Sequence, residues 1–89
     1  MTDGMKTIAQ ETPMSLADLP AGQSATIVRI DGGRRMAERL FNLGITVGST
    51  VTKVSGLRWG GPVTIVVGRM RIAVGFGMAS RMIVGTKSK

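Results

Sequence analysis

The stretch Leu40–Val51, LFNLGITVGSTV, constrains this chain more than any other. Apolar residues at helical spacing run into Gly44, a second glycine follows at Gly48, and strand-like alternation then begins. Met36, Leu40 and Leu43 fall at i, i+4 and i+7, with Ala37 and Phe41 widening the same face, so a helix is expected over about residues 34–43. Gly44 stands where a helix ends in the left-handed region that glycine enters without a Cβ clash. Ile45 is then placed to fold back against the last turn. Gly48 marks a second turn before a strand over Thr50–Ser55. A phosphate cradle needs its glycines ahead of a helix N-terminus, where free N–H groups meet the anion. These follow a helix C-terminus, and no Gly-Lys-Ser/Thr triplet accompanies them. Their expected role is to steer backbone, which turns attention from nucleotide enzymes to a small domain that acts by contact.

The flanking segments read as strands. Ala25–Ile30 is short and β-branched. Pro62–Val67 alternates Val63, Ile65 and Val67 against Thr64 and Val66. Gly68 turns the chain into Arg69–Val74, with Met70, Ile72 and Val74 expected inward. Met82–Val84 closes the set. Gly60, Gly61 and Pro62 are expected to form a tight loop between two of these strands, and GFGMAS a short connection of at most one helical turn. Before the first strand, Leu16 and Leu19 suit a single apolar turn capped by Ser15. The fold class expected is mainly β: a small SH3-like barrel of about five short strands with one inserted helix. Closure suits short strands because it removes exposed edges. The expected boundaries are a flexible N-terminal tail at 1–15, one domain at 16–85 and a basic C-terminal tail at 86–89. Met14, ahead of SLADL, also reads as an alternative start.

Composition narrows the chemistry. The 89-residue chain has neither cysteine nor histidine. That excludes disulfides, Cys/His zinc sites, a histidine general acid and a thiol nucleophile. No catalytic, metal or cofactor-binding residue is expected. Asp31 and Glu38, the acids nearest the helix, are read as surface charges beside arginines; a weak surface cation there stays open. The longest apolar runs are too short to span a bilayer, and the N-terminus lacks the apolar core of a secretory signal, so the expected location is the cytoplasm.

The net charge is +7. Between Leu16 and Gly85, nine lysines and arginines face three acids, so the domain itself is basic. An acidic partner is implied. Arg34, Arg35 and Arg39 begin and line the helix. Arg34 and Arg35 oppose its macrodipole, and Arg35 and Arg39 repel at i and i+4. That local cost makes them candidates for partner binding. Arg58 and Trp59, expected at a loop tip, and Phe76, between glycines, are further candidates. Nucleic acid is the alternative partner class. The charge suits it, but the chain has one tryptophan and two phenylalanines, Phe41 being expected in the core, and a single-strand platform uses several exposed rings. Nucleic acid is therefore not the expected partner.

Taken together, LADLPAG, ATIVRI, RLFNLGITVGSTV, GGPVTIVV, MRIAV and MIV resemble the FeoA family of ferrous-iron-transport accessory proteins. The resemblance runs from Leu16 to Val84, and its most specific part is LGITVGS followed by GGP. It implies an SH3-like barrel in the bacterial cytoplasm. It also implies an accessory or regulatory role with FeoB, the ferrous iron transporter with a cytoplasmic GTPase domain, which would recruit the chain to the inner face of the membrane. Weak homo-oligomerisation stays open. A similar domain ends metal-dependent repressors of the DtxR type, but those carry a helix-turn-helix domain for which this chain has no room. GFGMAS departs from the family pattern in being short and apolar, as does Trp59 in being large.

Overall fold

The computed structural model describes residues 12–57 and 60–86. Six strands form one antiparallel sheet: β1 (Thr12–Ser15), β2 (Ser24–Ile30), β3 (Thr50–Leu57), β4 (Gly60–Val67), β5 (Met70–Val74) and β6 (Met82–Thr86). Their order across the sheet is β1-β6-β2-β3-β4-β5. A helix, α1 (Gly33–Asn42), interrupts the β2–β3 connection, and a one-turn helix, α2 (Phe76–Ala79), precedes β6. The mainly β class with one inserted helix is as expected from the sequence. β1 and β5 are the two edges, and no ladder joins them among the described residues.

The inner face of the curled sheet carries Ala25, Ile27, Val51, Val63, Ile65, Val74, Met82 and Val84, all buried. Ser15 caps a 3₁₀ turn (Leu16–Asp18), its Oγ accepting the Asp18 N–H at 3.3 Å. The turn drives Leu16 and Leu19 to zero exposure. α2 packs on β4 and on this turn, so one end of the curl is stopped by apolar side chains. Burying each such aliphatic side chain contributes roughly 1.5–3 kcal/mol.

α1 begins poorly and ends well. Gly32 precedes it without a side-chain cap, and its first turn holds no acid. At the other end, the Ile45 N–H donates to the Leu40 carbonyl and the Gly44 N–H to that of Phe41, both at 2.9 Å. Gly44 sits at φ +85. This is the Schellman pattern, and its apolar contact joins Leu40 to Ile45, both fully buried. Gly48, at φ +99, makes the second expected turn, with the Ser49 N–H donating to the Thr46 carbonyl.

Several expectations are corrected. Thr12–Ser15, expected in the N-terminal tail, pairs with β6, and Thr86, expected in the C-terminal tail, belongs to β6 opposite Thr12; residues 1–11 of that expected tail lie outside the described residues. Pro13 is tolerated there because β1 is an edge, where a missing donor costs little. The sheet therefore has six strands rather than five. Gly60, Gly61 and Pro62 are not loop but the start of β4. The register shifts between Ser55 and Leu57 place Gly61 and Pro62 in a bulge, which accommodates a proline and the positive φ of Gly61. Phe41, expected in the core, is 67% exposed, and Leu43 is at the surface. α1 lies on the sheet's flank and buries only Leu40, with Met36 and Ala37 half-buried. Met70, expected inward, is exposed at the hairpin end of the edge strand β5.

Lys53 is the unforeseen core member. It is 1% exposed, and its Nζ donates to the Ala17 carbonyl at 2.9 Å. The bond ties β3 to the 3₁₀ turn.

Two substitutions test this account. Gly44→Val should destabilise by about 1–3 kcal/mol in chemical denaturation, since a Cβ there meets no neighbour and the cost is the backbone's alone; an unchanged midpoint would mean that Gly44 is not left-handed. Lys53→Met keeps most of the side-chain volume but withdraws the donor from Ala17. It should cost about 1–3 kcal/mol, and a variant as stable as the parent would show that the bond contributes nothing net.

Candidate partner-binding face

The expected arginines do not form one surface. Arg35 and Arg39 lie on the flank of α1 that faces α2, whereas Arg34 lies on the opposite flank, beside Phe41, Val47 and Val28. The difference follows from the helical period: residues four apart share a face, and residue 34 is rotated by about 100° from residue 35. All three are exposed, and among the described residues no carboxylate pairs with any of them.

Arg29 behaves differently. Its Nε donates to Asp31 Oδ1 at 2.7 Å and its Nη2 to Asp31 Oδ2 at 3.1 Å. This two-point bond draws the Asp31 carboxyl below its ordinary value; desolvation opposes it and the guanidinium's charge adds to it. The same bond raises Arg29. Both Asp31 oxygens are thus engaged, which argues against their use on a cation with Glu38. No cluster of three or more His, Cys, Asp or Glu occurs among the described residues.

Phe76 opens α2, half-buried and packed on the core, so its ring helps to stop the barrel end. Arg58 and Trp59 lie outside the described residues. Gly44, Gly48, Gly61 and Pro62 act in backbone geometry, as described above. Two residues on this face were not singled out in the sequence. Met78, within α2, and Arg81, which follows it, lie across a groove from Arg35 and Arg39. Their signal was weak: one apolar residue and one cation in a connection without clear periodicity.

A sequence profile described as the FeoA domain matches residues 14–85. The chain belongs to the FeoA family. Among curated proteins none is significantly similar. Several solved structures are. The crystal structure of an iron uptake regulatory protein (FeoA) is 32% identical, with a TM-score of 0.75, covering 82% of this chain and 96% of that one. The zinc complex of Stenotrophomonas maltophilia FeoA is also 32% identical, with a TM-score of 0.68, covering 80% of this chain and 88% of its own. It is described as a prokaryotic SH3-domain protein and a candidate activating factor of bacterial ferrous iron transport. The SH3-like fold expected for this chain is thereby shown. A manganese-dependent transcriptional repressor, 18% identical with a TM-score of 0.73, shares the fold over 43% of its length. No helix among the described residues is long and apolar enough to cross a membrane.

The Arg29–Asp31 pair has a pH signature. A depressed folded pKa means that the pair's contribution is present above the ordinary aspartate value and is lost as pH falls through the lower, folded value. Carboxyl-detected NMR titration should place the Asp31 midpoint below about 3.9, and Arg29→Gln should return it upward. A midpoint unmoved by that substitution would remove Arg29 as the cause.

Proposed function

We propose that this chain is a non-enzymatic accessory protein of ferrous iron uptake that acts in the cytoplasm by contact with a FeoB-like transporter, at its GTPase domain. Membership of the FeoA family supports the pathway. The observation that carries contact rather than chemistry is the set of exposed arginines on α1, held without carboxylate partners among the described residues. Unpaired guanidinium forks are suited to carboxylates of another surface. The cationic domain would also steer an acidic partner toward encounter. Recruitment to the inner face of the membrane would follow from the partner's own location.

One observation favours nucleic acid as a second reading: Phe41 is exposed, with Arg34 on the same flank. A single ring falls short of the stacked series that single-strand binders use.

Replacing Arg34, Arg35 and Arg39 together by Gln separates the two. Stability should change by no more than about 0.5 kcal/mol, since these side chains are exposed. Affinity for the soluble FeoB domain should fall about tenfold, as expected for three rim ion pairs of about 0.5 kcal/mol each, chiefly through slower association. Parent binding should weaken with salt. Parent affinity for a DNA or RNA oligonucleotide tighter than about 10⁻⁶ M at physiological salt would instead favour the second reading.

A further inference from the structure

The groove between α1 and α2 has a composition that the overall charge does not explain. Arg35 and Arg39 stand on its helical side, and Arg81, which follows α2, stands on the other. All three are exposed, and among the described residues no carboxylate pairs with them. Met36 and Met78, both half-buried against the core, line the groove between them. It widens toward Glu38, Leu43 and the end of β5, where the space is about 610 Å³, and narrows toward Gly32, where it is about 470 Å³; Glu38, the one acid on the lining, stands only in the wide part, so with Arg35, Arg39 and Arg81 the groove stays net cationic. Arg35, Arg39 and Met78 line both parts, so the groove is continuous.

Its width depends on two missing side chains. A Cβ at Gly32 would collide with the Met36 thioether, so glycine there lets Met36 lie in the wall. A Cβ at Gly77 would meet nothing within 4 Å, so glycine there leaves open space beside Met78. Methionine is flexible and polarizable, and it moulds to varied apolar partners.

We propose that this groove receives an acidic segment of a partner protein in which a large apolar side chain lies among carboxylates. The apolar side chain seats on Met36 and Met78, and flanking carboxylates bridge Arg35 to Arg39 and reach Arg81. A carboxylate between Arg35 and Arg39 also relieves their i, i+4 repulsion. Three features select this occupant. A small anion would satisfy one guanidinium and leave both methionines uncovered. A nucleic acid strand would find no aromatic ring among the lining residues on which to stack a base. A flat bilayer would not enter a concave site. The inference deepens the contact function proposed above and rests on it for the partner's identity, but not for the segment's chemistry.

The test uses isotope-labelled full chain and a synthetic peptide of aspartates and glutamates around one leucine. Saturable amide shifts are expected at Met36, Arg39, Gly77 and Met78, with affinity falling as salt rises. Replacing the peptide's leucine by serine should weaken binding about tenfold. Arg35→Gln/Arg39→Gln/Arg81→Gln should abolish saturation. Gly77→Leu keeps every charge but fills the groove, and should weaken binding to a similar extent; its amide spectrum verifies that it is folded. Arg69→Gln/Arg71→Gln, on the β4–β5 hairpin, should change nothing. Equal binding of the serine peptide would overturn the proposal. So would shifts spread over Arg69 and Arg71, or tighter binding in the groove of an oligonucleotide or of vesicles rich in phosphatidylserine. The soluble FeoB domain is measured in parallel. FeoB binding untouched by the triple variant and by Gly77→Leu overturns the groove and leaves the contact function standing. Peptide capture without FeoB binding overturns the transporter reading and supports the groove.

Discussion

The contact between Leu40 and Ile45 beneath Gly44 is the constraint on which the rest depends. β2 and β3 are neighbours in the sheet, yet the chain between them leaves for ten residues of helix. It must come back in register. The Schellman end reverses the chain, the turn at Gly48 redirects it, and the strands then meet: the Gly48 N–H donates to the Ile27 carbonyl at 2.8 Å, and the Ile27 N–H to that of Ser49 at 2.9 Å. A one-residue slip at this return would send Val51 and Lys53 to the outer face. It would also rotate α1, and with it the direction in which Arg35 and Arg39 point. The helix end therefore sets both the sheet register and the surface chemistry.

The charges divide by the work they do. Lys53 is drawn inside, where its stem packs among apolar neighbours and its ammonium reaches Ala17. Arg29 is committed to Asp31. Neither is available to a partner without loss of an existing bond. Arg34, Arg35 and Arg39 carry no comparable commitment among the described residues. Arg34 and Arg35 occupy the end of a helix where a positive charge costs about 0.3–1 kcal/mol. Within the isolated domain their placement is unfavourable, and a carboxylate brought by another molecule would reverse its sign.

The sequence made legible whatever depends on local pattern. The helix, its glycine end, the capped Leu16–Leu19 turn and most of β2 to β6 follow from spacing and from backbone rules, and they lie within a residue or two of where those rules put them. The misses depend on tertiary position. β1 carries a proline and no alternation, and it exists because β6 offers an edge. Pro62 signals a loop unless a bulge absorbs it. Phe41 lies four residues from Ala37 and widens the apolar face by period alone, but α1 covers only a narrow stripe around Leu40. Lys53 was readable in principle: it alternates with Val51, which puts it on the inner face, although lysine is seldom found there. Of the candidate face, Arg35 and Arg39 were visible as helix neighbours. Their separation from Arg34 follows from the helical period alone, but which flank meets α2 needed the helix orientation, and their approach to Arg81 needed the fold of α2 onto the barrel.

α1 is also where partner binding would be felt most. It is tied to the domain by Leu40, by half-buried Met36 and Ala37, and by its C-terminal cap, while its N-terminus has neither a capping side chain nor an acid. A ligand that binds only the ordered helix stabilises it by RT ln(1 + [L]/Kd), about 2.7 kcal/mol at a hundredfold excess over Kd. That is comparable to the burial of one aliphatic side chain, the scale of the contact that Leu40 supplies. A segment lying along Arg35 and Arg39 would thus add a contribution on the scale of Leu40's own, from the side that the core leaves open. A partner that binds this face would in this way be registered through the order of a single element.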